Sequence, residues 1–318
     1  MSHSFRLGTL DLCHLRPSIG PAEALQATLG LAPIAESLGY SRYWVAEHHN
    51  PYVAHSAPEI LLPALAERTQ TIHVGTAGVL LTLYHPFKVA SVFRLLSALY
   101  PGRIDLGLGR HPANETIRKL MLGDATPIPY ADKVVELARL LRGEGEPPAL
   151  PHFPEKSMAA PPEMWILGAQ STSMEVAAEN GTALCLSLFL QTEDGVDLRP
   201  VVEAYRDRFR PSPELAEPKW AIAFAGVCAE TEAEARRLAA EKLPIIRPSV
   251  VGTPEQCREK IEEIRERYGT ADLMLLDMAH TFEERARSHR LLAEVLELRA
   301  PNPGAGAHVE DALPALIG

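Results

Sequence analysis

Short apolar runs alternate with longer amphipathic stretches along most of the chain. Unbroken apolar runs bounded by turn residues read as strands buried on both faces. Segments with apolar residues every third or fourth position read as helices that cover those strands. The pattern predicts strands over residues 6–12, 41–46, 72–79, 104–108, 164–167, 183–188, 220–227 and 271–277. It predicts helices over 21–38, 58–68, 86–99, 130–142, 171–180, 195–209, 231–242, 254–268 and 282–298. Thr253-Pro254-Glu255-Gln256 has the form of a capping box with proline in the first turn. Gly39, Gly181 and Gly269 stand just past helix ends, where a left-handed residue is wanted, whereas Gly30 and Pro33 predict a break or kink in the first helix.

Eight strand–helix repeats predict an α/β fold, a closed (β/α)8 barrel of the TIM type, spanning residues 1–300 as one domain. An open nucleotide-binding sheet usually carries a glycine fingerprint after its first strand. Here that strand runs into Asp11-Leu12-Cys13-His14 instead. The proline-dense segment 143–162 predicts an irregular insertion after the fourth strand, a lid or surface excursion, and 301–318 a separate tail.

Composition narrows the function classes. A formal net charge of −10 argues against nucleic acid or an anionic membrane as a partner. The four cysteines form no CxxC pair, which fits a reducing cytoplasm better than a disulfide framework or zinc knuckle. No signal-peptide pattern opens the chain, and no apolar stretch approaches the ~20 residues of a membrane span. The expectation is a soluble, cytoplasmic protein.

Barrel enzymes assemble their sites at the C-terminal ends of the strands. The second strand ends in Glu47-His48-His49, a general acid or base with a carboxylate beside it, or a pair of loop-capping histidines. A metal site with His55 as a further ligand has no supporting spacing. The third strand ends in Thr76-Ala77-Gly78, small enough for close approach of a flat ligand or for tight packing. Arg110 follows the fourth strand, and Gly168-Ala169-Gln170-Ser171-Thr172-Ser173 opens a helix after the fifth. An arginine and a hydroxyl-rich helix start on neighbouring strand ends describe a phosphate clamp; a surface arginine and an ordinary N-cap are the plainer readings.

Residues 38–50, with Glu47-His48-His49, and residues 101–110, Pro-Gly-Arg-Ile-Asp-Leu-Gly-Leu-Gly-Arg, resemble the bacterial luciferase-like monooxygenases. Trp165-Ile166-Leu167-Gly168 and Val251-Gly252-Thr253-Pro254 are similar as well. The resemblance implies a dimeric barrel that binds reduced FMN (FMNH2), supplied by a separate flavin reductase. It implies oxidation of a small organic substrate with dioxygen through a flavin 4a-hydroperoxide. By the same resemblance His48 is the catalytic histidine; Glu47 or His49 beside it is expected to orient it. Ala77 and Gly78 flank the flavin ring across an unusual, often cis, peptide bond. Arg110, Gly168, Gln170, Ser171 and Ser173 hold the cofactor, Arg110 and Ser173 on its phosphate. Cys13, His14, Tyr84 and His111 are candidate substrate-pocket residues, and no metal is expected. The chain departs from the family at Cys13-His14, His111-Pro112-Ala113 and Ala169-Gln170. A deazaflavin-dependent hydride-transfer oxidoreductase and a non-catalytic flavin-binding protein are the alternatives.

Overall fold

The computed structural model describes residues 5–15, 19–110, 114–124, 126–144, 160–190, 197–240 and 246–300. The expected insertion over 143–162 lies mostly outside the described residues, and the expected tail and His111 lie wholly outside them. The strands, in chain order, are β1 (Arg6–Asp11), β2 (Arg42–Val45), β3 (His73–Thr76), β4 (Val79–Leu80) and β5 (Ile104–Gly109). They continue as β6 (Glu163–Gly168), β7 (Ala183–Ser187), β8 (Trp220–Cys228), β9 (Pro248–Gly252) and β10 (Asp272–Asp277). All the pairings are parallel and run β10-β1-β2-β3-β5-β6-β7-β8, and β10 pairs β8 to close an eight-stranded barrel. β9 is appended to β8 across an irregularity at Ala225/Gly226.

The helices are α1 (Pro21–Ser37), α2 (Pro58–Ala66), α3 (Pro86–Leu99), α4 (Glu115–Leu122) and α5 (Tyr130–Leu141). They continue as α6 (Ser171–Asn180), α7 (Arg199–Arg208), α8 (Glu232–Ala240), α9 (Pro254–Tyr268) and α10 (Phe282–Val295). The Thr253/Gln256 capping box forms at the start of α9, and a second, Thr281/Glu284, starts α10. Gly39, Gly181 and Gly269 all have positive φ after their helices.

Three expectations are corrected. First, α1 runs unbroken through Gly30 and Pro33. Its buried face, with Leu29, Leu31, Ala32 and Ala35, continues across both residues, and a side chain at Gly30 would stand 3.2 Å from the Phe282 ring of α10. Apolar packing outweighs the local propensity. Second, the predicted strand 72–79 stops at Thr76, turns through a cis Ala77–Gly78 bond and resumes as β4 against β5. Third, α4, β9 and β4 were not anticipated as separate elements. α4 is a short helix of eight residues whose apolar positions, Ile117, Leu120 and Met121, are not buried against the barrel.

The N-terminal end of the barrel is closed by a charge network. Arg42 bonds Asp105 and lies 3.2 Å from Glu163, whose other oxygen is 2.5 Å from the Lys219 ammonium. Trp44 donates its indole N–H to Asp105 at 2.8 Å, and the Arg42 guanidinium sits 4.9 Å from the centre of the Trp165 ring. Burial pushes the Asp105 carboxyl up, but Arg42 and His73 together outweigh it and hold the group below the usual carboxylate range.

Candidate active site

The opposite end of the barrel gathers the sequence candidates on one rim. His48 follows β2, Ala77 and Gly78 follow β3, Arg110 follows β5, and Gly168 ends β6. These four strands are consecutive neighbours, so the candidates trace one arc of the barrel mouth.

At the β2 end Glu47 is the hub. Its carboxylate is 1% exposed, too buried to be a solvated loop charge. One oxygen accepts the Tyr84 hydroxyl at 2.7 Å and lies 2.7 Å from His49 Nε2; the other accepts the Leu80 backbone N–H at 2.8 Å. Glu47 thereby ties the β2 loop to the chain that leaves the cis peptide. Tyr84, a candidate substrate-pocket residue, is engaged in this hub, and burial together with its bond to Glu47 pushes its phenol well above the ordinary range. The same turn is fixed from below by Lys133, whose buried ammonium donates to the carbonyls of Leu81, Thr82 and Tyr84 at 2.8–3.1 Å. His48, half-buried, lies between Glu47 and His49 in the sequence.

At the β3, β5 and β6 ends glycines let backbone approach backbone. A Cβ on Gly107 would sit 1.9 Å from the Thr76 carbonyl oxygen, and one on Gly78 would sit 2.6 Å from that of Gly107. A Cβ on Gly168 would fall 2.1 Å from the Ser173 hydroxyl, so glycine allows Ser173 to tuck against the strand end. Helix α6 begins at Ser171 behind Gln170, whose side chain makes no capping bond. The buried Thr172 hydroxyl in its first turn has no hydrogen-bond partner. Arg110 is exposed beside Tyr130, the first residue of α5. Burial raises the Tyr130 phenol and the nearby Arg110 charge opposes it; its buried hydroxyl also lacks a partner.

Across the mouth, the ends of β1 and β10 carry a second polar group. Asp11 accepts the Tyr43 hydroxyl at 2.7 Å, the Thr28 hydroxyl at 2.8 Å and the Cys13 N–H at 2.8 Å, and Arg285 lies 2.9 Å away. Burial alone would raise the Asp11 carboxyl; Arg285, Tyr43 and Cys13 bring it down to about 2. Cys13 is buried, with its thiol 3.1 Å from Thr28, and is part of the wall. His14 bridges to Val53. A cleft of about 230 Å³ between α1 and α10 is lined by Cys13, His14, His280 and Arg285 among others. A roomier one of about 460 Å³ lies at the wrong end of the barrel, where Glu163 and Ala183 begin β6 and β7. Its cations are already paired, Lys219 with Glu163 and Arg142 with Glu214, and barrel chemistry belongs to the other rim.

The family model for luciferase-like monooxygenases matches residues 5–249. The chain belongs to that family. Its relatives include the uncharacterised protein YwcH of Bacillus subtilis (strain 168), 34% identical over 91% of this chain and 98% of its own length. The N-acetyl-S-alkylcysteine monooxygenase of the same organism is 34% identical over 83% of this chain and 81% of its own. Among solved structures, apo-MsnO8 superposes with a TM-score of 0.82 at 32% identity, covering 93% of this chain and 99% of that one. More distant likenesses show the fold alone. The oxygenating constituent of 3,6-diketocamphane monooxygenase from Pseudomonas putida, solved with FMN, has a TM-score of 0.73 at 20% identity over 94% and 100% of the two chains. An F420-dependent secondary alcohol dehydrogenase has a TM-score of 0.63 at 16% identity, with the same coverage. The same barrel fold is thus found in a protein solved with FMN and in an F420-dependent dehydrogenase.

The sequence did not point to Tyr130, Lys133, Arg285 or His280, whereas Thr172 lies inside the hydroxyl-rich helix start. Tyr130 heads a predicted helix, but nothing in its neighbourhood says its hydroxyl stays unpaired. Arg285 lies 274 positions from Asp11 (285 minus 11), so only the closure of β1 on β10 brings them together. Among the described residues no group of three or more His, Cys, Asp or Glu could hold a metal ion, and no helix is long and apolar enough to cross a membrane.

Proposed function

We propose that the chain is an FMN-dependent monooxygenase that oxidises a small organic substrate with dioxygen. The observation that carries this reading is a pair of buried hydroxyls that have no hydrogen-bond partner among the described residues, Tyr130 near Arg110 at the start of α5 and Thr172 in the first turn of α6. Buried polar groups are seldom left unpaired, and a phosphate would satisfy both. Arg110 supplies charge, and the uncapped start of α6 supplies free N–H groups. Gly78 and Gly107 let the β3 and β5 ends pack backbone against backbone beside the ring position. FMN fits these residues: phosphate at Arg110, Tyr130, Gln170, Ser171, Thr172 and Ser173, ring over Ala77–Gly78.

The flavin, when bound and reduced, supplies the activation of dioxygen; the protein's part is placement and proton control. Glu47 fixes His49 and the loop after the cis peptide, and between them His48 is held where it can exchange a proton with substrate or cofactor. Because no nicotinamide-binding fingerprint accompanies the site, the electrons come from a separate flavin reductase. Exposed Ile60 on α2 and Leu95 and Leu99 on α3, 70%, 55% and 57% exposed, support a homodimer through these helices.

The relative named for N-acetyl-S-alkylcysteine directs the choice of test substrates. The protein is loaded with reduced FMN and mixed with 18O2 and a panel of thioethers, ketones and aldehydes. The expected product carries one labelled oxygen, and His48→Ala lowers its yield by roughly 10²-fold or more. Turnover with reduced F420 and no incorporated oxygen would instead establish the hydride-transfer reading.

A further inference from the structure

The chain that leaves the cis Ala77–Gly78 bond pairs with β5 as β4, makes one helical turn over Leu81–Leu83 and reaches Tyr84 before α3 begins. So short a turn satisfies little of its own backbone. The Leu81 carbonyl accepts the Tyr84 N–H at 3.3 Å. On one side the turn is tied to Glu47, through the Leu80 N–H at 2.8 Å and the Tyr84 hydroxyl at 2.7 Å. On the other side it meets Lys133 of α5.

We propose that Lys133 is a positioning residue for the rim: from α5 it holds the Leu81–Tyr84 turn, and through that turn it sets the place of the Glu47 carboxylate and of the Ala77–Gly78 bond. An ammonium has three N–H donors, and here all three are used, on the carbonyls of Leu81, Thr82 and Tyr84 at 3.1, 3.0 and 2.8 Å. Lys133 is 4% exposed. Burial pushes its ammonium below the ordinary range, and no neighbouring carboxylate opposes the fall. A buried cation without a counter-charge is costly, and the residues buried beside it on α5 include Val134, Leu137, Ala138 and Leu141. An apolar side chain would fill that space without the cost and would leave the three carbonyls unheld. The lysine supplies direction: three carbonyls drawn to one point fix a turn that is otherwise closed by one internal bond.

Helix α5 joins this anchor to the other end of the site. Tyr130 is its first residue, three positions before Lys133, so the two side chains are neighbours on the helix surface. The Tyr130 hydroxyl is buried, has no hydrogen-bond partner among the described residues and lies near the Arg110 charge. One helix therefore carries a hydroxyl at the phosphate position and an ammonium at the turn that follows the ring position. A fixed spacing between the two ends of the cofactor is the consequence, and this part rests on the flavin reading. The hold on Glu47 does not, because Leu80 and Tyr84 contact that carboxylate directly.

The test uses the full chain carrying Lys133→Met, which keeps the length of the side chain and removes its donors. Amide hydrogen exchange is read in the flavin-free protein, and FMN and riboflavin affinities per folded molecule are read by flavin fluorescence. Exchange at Leu80 is expected to rise roughly tenfold or more, and by a larger factor than at Ile166 in the barrel wall, which reports global opening. FMN and riboflavin are expected to weaken by the same factor, roughly tenfold, because the ring end moves and the phosphate end does not. Should Lys133→Met fail to fold, Lys133→Gln, with two donors in place of three, is expected to show both effects at smaller size. Equal acceleration at Leu80 and Ile166, or a lower denaturant midpoint with both affinities intact, overturns the positioning role. A loss confined to FMN overturns it as well, because Lys133 would then act on the phosphate. If the wild type binds neither flavin and the variant still frees the Leu80 amide, the flavin reading falls and the hold on the Glu47 turn stands.

Discussion

The two ends of the barrel treat buried polarity in opposite ways. At the N-terminal end, Arg42, Asp105, Glu163, Lys219 and Trp44 are paired among themselves; among the described residues the Trp165 indole N–H has no hydrogen-bond partner, and Glu163 Oε1 has only its ion pair with Lys219. At the C-terminal rim, the Tyr130 and Thr172 hydroxyls and both His55 nitrogens are buried and have no hydrogen-bond partner among the described residues. A closed network contributes to stability and offers nothing to a ligand. An open one costs stability until something else completes it. The contrast separates scaffold from site without reference to any relative.

The largest effect is expected at the closed end. Asp105→Ala strands the Arg42 charge at a buried position and should cost about 3–5 kcal/mol, read as a fall in denaturant midpoint. FMN affinity per folded molecule should be unchanged. At the open end the weighting reverses: Arg110→Ala should leave the midpoint within about 0.5 kcal/mol and weaken FMN by about 2 kcal/mol. If Arg110→Ala unfolds the protein, or Asp105→Ala alters flavin affinity, the division between the two ends fails.

A pH titration probes the polar group at β1. The Asp11 carboxyl lies at about 2 in the folded chain against an ordinary 3.8, so its contribution is fully present above about pH 4 and is lost as pH falls through 2. Its share is about 2 kcal/mol. Acid unfolding of Asp11→Asn should show a shallower slope across that window; an unchanged slope would mean that Arg285 does not hold the carboxylate ionised. The smallest effect is expected at Tyr130→Phe. Deleting an unpaired buried hydroxyl should leave the flavin-free protein as stable or slightly more so, and FMN should bind up to about 1.5 kcal/mol more weakly.

The barrel was legible because its strands are buried on both faces. Residues such as Val74, Leu106, Leu108, Ile166, Leu184 and Ile222 are apolar for the same reason and stand out as runs. Elements without that signature escaped: α4 buries nothing, and β9 is a partly exposed edge strand. Of the site, Glu47-His48-His49, Arg110 and the α6 start were readable because each is a compact motif at a predicted strand end. The hub role of Glu47 was not, because it depends on Leu80 and Tyr84 folding back after the cis peptide. The sequence also could not show which hydroxyls remain unpaired, since pairing is decided by neighbours from other strands.

Comparing FMN with riboflavin in the same fluorescence titration addresses the phosphate clamp itself. The two ligands share a ring and differ by one phosphate. Wild-type protein should bind FMN at least roughly tenfold tighter, and Arg110→Ala should bring the two affinities close together. Equal affinities in the wild type would contradict an anion site at the β5 and β6 ends.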